Sequence, residues 1–237
     1  DASACASSLH VLMNMQTLMD NYGFDRVIVF SGEDSVNNLV LEFFGEAGAS
    51  LQYKDQRVVP SAFDDKNQGF HIGQGAVVAI FEKEHAGMAD PLAKFVGAYS
   101  SAEDNTNPLG QRQDGSGFSK AIEGALFVAK AHQNNVRLVK THGTGTPVNN
   151  AAEKSALLRS LNEFVATSYK PRIGHTMGAS GLLEPGLLLR DLKSGFVPKI
   201  LNRTQDDSVF LSSDAPIPEG LMLSLAAGMG NIYSAAL

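Results

Sequence analysis

A single cysteine, Cys5, stands in a chain of 237 residues. One thiol cannot close an intrachain disulfide or supply the several thiolates of a structural zinc site, so any role for Cys5 is that of a thiol. Basic residues are also in deficit: 19 Lys and Arg against 25 Asp and Glu leave a formal net charge of −6, which removes the basic nucleic-acid binder as the default class. No window approaches the run of about 18 uninterrupted apolar residues that spans a bilayer, and the first residues lack the basic segment of a signal peptide. A cytoplasmic location is therefore expected. Low-complexity tracts, solenoid repeats and a Ser/Pro-rich linker are missing as well, so one compact unit is expected.

What is present is enough apolar material for a core: 43% of residues are hydrophobic and 19% charged. Leu9, Leu12, Met13, Gln16 and Met19 recur at helical spacing over 6–22, and Tyr22-Gly23 supplies a stop. The run Arg26–Ser31 reads as a buried strand, followed by a helix over 37–46 and strands in Gly75–Glu82 and Leu92–Ser101. Phe118, Ile122, Ala125, Leu126 and Ala129 mark a helix over 117–133, and Val136–Thr141 a strand. Helices are expected over 151–165 and 178–193, and apolar segments close the chain over 221–227 and 229–237. Near-continuous apolar strands alternating with helices indicate an α/β layered domain with its sheet covered on both faces. The polar stretch 103–117 is expected to be a long surface loop.

Three residues could carry chemistry. Cys5 lies in SACASS directly before the first helix, where small neighbours allow a sharp turn and the helix dipole favours thiolate. A lone cysteine is more often a small buried hydrophobe, so the assignment needs a base. His142 follows the strand VRLVKT in THGTGTP, and His175 lies in KPRIGHTMGASG before a helix rich in small residues; ligands bind at such strand ends in α/β folds. Either histidine alone would be read as a structural hydrogen-bonder, whereas two in similar settings invite a functional reading. His10, His71, His85 and His132 lack that setting and are read as surface or core residues. The stretches GTGTP and GQGAVV have neither the lysine nor the spacing of a Walker loop and do not form a strand–GxGxxG–helix unit. Asp64-Asp65 has no ligand cluster around it and is expected to be a solvated turn, and no metal is expected.

The ordered set SACASS, GFHIGQGAVVAIFE, THGTGTPVNNAAE and KPRIGHTMGASGLLE resembles the condensing enzymes of fatty-acid and polyketide synthesis, the β-ketoacyl-acyl-carrier-protein synthases with a Cys-His-His site. The resemblance covers the whole chain and favours the elongating branch, because initiating enzymes usually place Asn where His175 stands. It implies a thiolase-like αβαβα fold, here incomplete. Residues 1–237 would then be the portion of the domain running from the nucleophile elbow to the Gly-rich C-terminal loop. By position, Cys5 would accept the acyl group, and His142 and His175 would bind the malonyl thioester carbonyl. Lys170 would order the second histidine, Glu153 and Glu184 would support the polar network, and Thr144 and Thr146 would flank the pantetheine arm. Gly228, Met229 and Gly230 fall on the loop that donates an oxyanion N–H and gates the acyl pocket, with Met229 in place of the usual Phe. Asn149 or Asn150 replaces the usual Asp after GTGT.

The implied reaction is a decarboxylative Claisen condensation on Cys5, using no cofactor beyond the carrier-borne phosphopantetheine arm. The implied partners are an acyl carrier protein, the missing N-terminal half or a second chain, and a homo- or heterodimer mate. A non-elongating partner subunit that shapes chain length and an acyltransferase using the same Cys are the alternatives.

Overall fold

The computed structural model describes residues 2–51, 59–66, 69–85, 88, 90–107 and 110–237. A 3-10 turn at Ala4–Ala6 leads into α1 (Ser7–Asn21), whose Ser8, Leu9, Leu12 and Met15 are buried at helical spacing. Then come β1 (Arg26–Glu33), α2 (Asn38–Glu46) and β2 (Gly75–Glu82). The Asn37 side chain caps α2 by accepting the Val40 N–H at 3.1 Å. The chain continues with β3 (Ala98–Ala102), α3 (Ser116–Val128), β4 (Val136–Lys140), α4 (Pro147–Ser160) and β5 (Val165–Thr167). It ends with α5 (Lys170–Ile173), α6 (Ser180–Leu192), β6 (Leu221–Gly228) and β7 (Ile232–Ala236).

Five strands form one sheet in the order β3-β7-β6-β4-β5, and β1 pairs antiparallel with β2 in a separate ribbon. Strands β5 and β6 flank β4 in parallel, whereas β7 runs antiparallel to both of its neighbours. One sheet face packs Val139, Leu223, Leu225 and Tyr233 against Phe118, Ile122 and Ala125 of α3 and Ala152, Ala156 and Leu157 of α4. The other face packs Ala226 and Ala236 against Leu9, Leu12 and Met15 of α1, and Leu138 against Leu188 of α6. Across α1 and α6 lies the ribbon, whose Val29, Val77, Ala79 and Phe81 face the same core. The order of layers is therefore helices, sheet, helices, ribbon: the expected αβαβα stack without its outer helical layer among the described residues. The outward side of the ribbon shows the consequence, with Ile28 63% and Phe30 70% exposed beside exposed Val78 and Ile80.

Helices α1 and α6 cross closely. A Cβ at Gly181 would sit 2.7 Å from both the Cβ and the amide nitrogen of Leu9, and the Ser8 hydroxyl accepts the Leu182 N–H at 3.0 Å. Both helices follow a 3-10 turn whose first residue holds a positive φ, Ala4 at 48° and Met177 at 41°.

Several expectations need correction. The helix placed at 151–165 begins four residues earlier, at Pro147, whose fixed φ suits a first helical position, and it stops at Ser160. Leu161 is extended, and Val165–Thr167 joins the sheet as β5. The strand expected over 92–101 is confined to Ala98–Ala102, and the helix over 117–133 gives way to a separate 3-10 turn at Gln133–Asn135. Asp64 is not solvated: it is fully buried, and its carboxylate accepts the Thr204 N–H at 2.6 Å and hydroxyl at 2.8 Å. Among the described residues, the loop expected after Ala102 is present up to the start of α3 at Ser116, and it is anchored by buried Glu103, which accepts hydrogen bonds from the Tyr233 hydroxyl at 2.9 Å and the Ser116 hydroxyl at 2.8 Å. No described helix is long and apolar enough to cross a membrane.

Candidate active site

The turn before α1 puts Cys5 where sheet, helices and ribbon meet. Small residues permit this. Ala4 takes a left-handed backbone conformation, costly for a non-glycine residue and common where geometry is set by function. The Gly228 backbone closes over the turn so tightly that a Cβ there would lie 2.4 Å from the Ser3 carbonyl oxygen. Cys5 shares a cavity of about 100 Å³ with His142, His175, Thr144, Thr146, Asn149, Gly228 and Met229. Gly230 sits exposed in the hairpin turn and does not line that cavity. Its φ of 87° is one that glycine adopts freely in such a turn.

The two imidazoles stand 5.5 Å apart, centroid to centroid, nearly perpendicular. His142 is held through its own peptide. Its N–H donates to Glu153 Oε1 at 2.6 Å, and its carbonyl accepts from Lys170 Nζ at 2.6 Å. Glu153 also receives the Gly143 N–H and the Asn149 side-chain amide, both at 2.9 Å. Lys170 therefore anchors the first histidine, and its charge acts on the second as well. His175 is held by backbone bridging to the segment before β2: its N–H donates to the His71 carbonyl at 2.7 Å, and its own carbonyl accepts the Gly73 N–H at 2.9 Å. Its Nδ1 pairs with Ser180 Oγ at 2.9 Å, and the Phe70 ring meets the imidazole edge-on at 5.0 Å. Behind the pair, Glu184 bridges two enclosed ammonium groups, Lys170 at 2.7 Å and Lys140 at 3.0 Å. Sequence reasoning missed Lys140, Ser180 and Phe70. A lysine ending the apolar run VRLVKT was the one available signal.

Burial dominates the electrostatics. It pushes the Cys5 thiol up to about 11, against the nearby Lys170 charge, so the dipole of α1 does not make a resting thiolate. The S–H instead points at the Met177 thioether, 3.9 Å between sulfurs. Burial, reinforced by Lys170 and Lys140, holds His142 and His175 well below the ordinary imidazole range, and both are neutral. For Glu184, burial favours the protonated form, but the two ammonium groups outweigh it and hold the carboxyl below its usual range. Burial raises Glu153 against the three N–H donors it receives.

A pH dependence of stability follows. Because the unfolded chain takes up protons at histidine near pH 6.5 while the folded imidazoles do not, stability is complete above that value and is lost as pH falls below it. Each imidazole contributes up to about 1.4 kcal/mol per pH unit. Denaturant unfolding as a function of pH should show uptake of close to two protons from these residues, and an uptake near zero would contradict their buried neutral state.

Sequence profiles of known families match the chain in two parts: the β-ketoacyl synthase N-terminal domain over residues 2–86 and the β-ketoacyl synthase C-terminal domain over residues 92–204. The 3-oxoacyl-[acyl-carrier-protein] synthase 2 of Vibrio cholerae serotype O1 is 28% identical over 210 residues, which is 85% of this chain and 50% of that protein. The chain thus spans about half the length of that curated relative. Among solved structures, a type II polyketide ketosynthase in complex with its acyl carrier protein superimposes with a TM-score of 0.89 at 23% identity, over 100% of this chain and 61% of that one. A Xenorhabdus doucetiae ketosynthase in complex with its chain length factor gives a TM-score of 0.83 at 24% identity, over 99% and 58%. With a thiolase-like layered fold and matches to both domains, the chain belongs to the β-ketoacyl synthase family.

Proposed function

We propose that this chain supplies the catalytic centre of a decarboxylative Claisen condensation between an acyl group on Cys5 and a malonyl unit on an acyl carrier protein. The observation that carries the proposal is the sharing of one cavity wall by a thiol and two neutral imidazoles. A neutral imidazole donates one N–H, and one whose pKa is held low is a poor base, which suits stabilisation of an oxyanion or enolate by hydrogen bonding. Cys5 sulfur attacks the acyl thioester carbonyl, the carrier thiol departs, and the S–H proton passes to it. Malonyl decarboxylation then leaves the electron pair of the broken C–C bond as an enolate, with His142 and His175 donating to the oxygen where charge develops. The enolate carbon attacks the Cys5 thioester, a C–C bond forms, the C–S bond breaks, and the released thiolate takes up a proton.

The threonine pair Thr144 and Thr146, with hydroxyls 3.0 Å apart on the cavity wall, suits the pantetheine arm. Residues 1–237 are read as the portion of the domain from the nucleophile elbow to the Gly228 loop, acting in the cytoplasm without a cofactor beyond that arm. An upstream half or a second chain would cover the bare face of the ribbon, within a homo- or heterodimer.

His142→Ala and His175→Ala should each leave acylation of Cys5 detectable by intact mass, while carbon dioxide release from the malonyl carrier falls about 100-fold or more. A parent protein that acylates Cys5 but releases no carbon dioxide would turn the reading to acyl transfer. One that does neither would turn it to a non-elongating partner subunit. Met229, on the cavity wall, should set acyl length: Met229→Phe is expected to change chain-length preference among mixed acyl thioesters while shifting stability by under about 1.5 kcal/mol. An unchanged preference would remove its gating role.

A further inference from the structure

Lys140 is a fully enclosed amine that the condensation as written does not use; burial lowers its pKa, and the Glu184 carboxylate opposes that and favours the ammonium form. It ends β4, two residues before His142, on the same side of the sheet as Leu138 and α6. Its Nζ donates to Glu184 Oε2 at 3.0 Å and to the Leu225 carbonyl at 2.9 Å. Glu184 has a nearer counter-charge in Lys170, at 2.7 Å, so Lys140 is not required to neutralise it. An ammonium is expensive to bury, and an apolar side chain would fill this position at lower cost. What Lys140 adds is a connection. Leu225 lies on β6, three residues before Gly228 in the loop that closes over Cys5, and Lys170, at the other end of the bridge, holds the His142 carbonyl.

Resting on the condensing reading above, we propose that Lys140 is a positioning residue that locks the Gly228 loop to the imidazole pair, so that the nucleophile's wall and the enolate's wall are set by one buried Lys–Glu–Lys bridge. Its charge has a second effect. Lys170 from α5 and Lys140 act on both histidines, Glu153 from α4 receives the His142 N–H, and Glu184 from α6 and Glu33 of β1 act on Cys5, which shares the histidines' cavity. Removing Lys140 takes one positive charge from this set and makes the imidazoles easier to protonate.

The test compares K140M and K140R with the parent in its assembled, active form, using acyl-pantetheine for Cys5 acylation and malonyl-pantetheine for carbon dioxide release as a function of pH. In K140M, acylation should slow by about tenfold or more, and the acid limb of decarboxylation should move up by on the order of one pH unit. In K140R, whose charge is kept but whose planar head does not reproduce the two contacts, acylation should slow with the acid limb unmoved. A folded K140M with parental rates and acid limb overturns the proposal, as does a K140R whose acid limb moves as far as that of K140M. Should K140M fail to fold, K140R decides alone: slowed acylation supports the lock and parental acylation overturns it. A parent that releases no carbon dioxide defeats the condensing reading instead, and parental acylation by K140R would still defeat the lock.

Discussion

Cys5→Ala should abolish the acyl-enzyme and reduce condensation by about four orders of magnitude or more. The chain has no second thiol to substitute for it. Loss of one sulfur from a turn walled by Ala4, Ala6 and Met177 should not prevent folding, because alanine keeps the backbone that the left-handed Ala4 and the close approach of Gly228 require. The variant should still release carbon dioxide from a malonyl thioester, since the imidazoles and their anchors are untouched. Intact mass after incubation with an acyl thioester reads the first outcome, and labelled carbon dioxide the second. An acyl adduct surviving on the variant would refute the assignment of the nucleophile.

Glu184→Ala should be the most destabilising single change at the site. Two ammonium groups, both essentially without solvent contact, would face each other with their shared carboxylate gone. Breaking a buried pair from one side costs about 3–5 kcal/mol, because the desolvation penalty stays after the attraction is lost. Lys170 would also lose the partner that keeps it on the His142 carbonyl, so activity should fall along with stability. Glu184→Gln, which keeps an acceptor oxygen, should be milder. Urea unfolding of the three proteins measures the order, and a Glu184→Ala change within about 0.5 kcal/mol of the parent would mean that the lysines are neutral and the bridge is not ionic.

The layered α/β class was legible because the strands are apolar runs and the helices keep their 3–4 spacing, as in Leu9, Leu12, Met13, Gln16 and Met19. The elements that escaped were those set by tertiary pairing. Val165–Thr167 has only three residues, too few for a period to show, and it is a strand because β4 lies beside it. The three candidate catalytic side chains were legible from their sequence settings, and the cavity does unite them. Their anchors were not. The partner of the His142 carbonyl, the His71 carbonyl beneath His175 and the Ser180 hydroxyl are fixed by contacts between segments far apart in the chain, to which local spacing is blind. The thiol's protonation was misjudged for a related reason. A helix start can be read from sequence, whereas the desolvation that overrides it depends on Phe70 and Met177 closing in from elsewhere.

The paired starts of α1 and α6 carry a further consequence. Each helix begins beside the cavity, one just after Cys5 and the other just after His175, and each presents a macrodipole equivalent to roughly half a positive charge at its first turn. At rest the reacting groups themselves, a thiol and two imidazoles, are neutral. The field across the cavity therefore comes from the backbone together with the Lys170 and Lys140 side chains, and does not depend on a proton arriving at the reacting groups. Negative charge on an acyl oxyanion, and later on an enolate, forms in a potential that is already favourable, without a solvent shell having to turn to meet it.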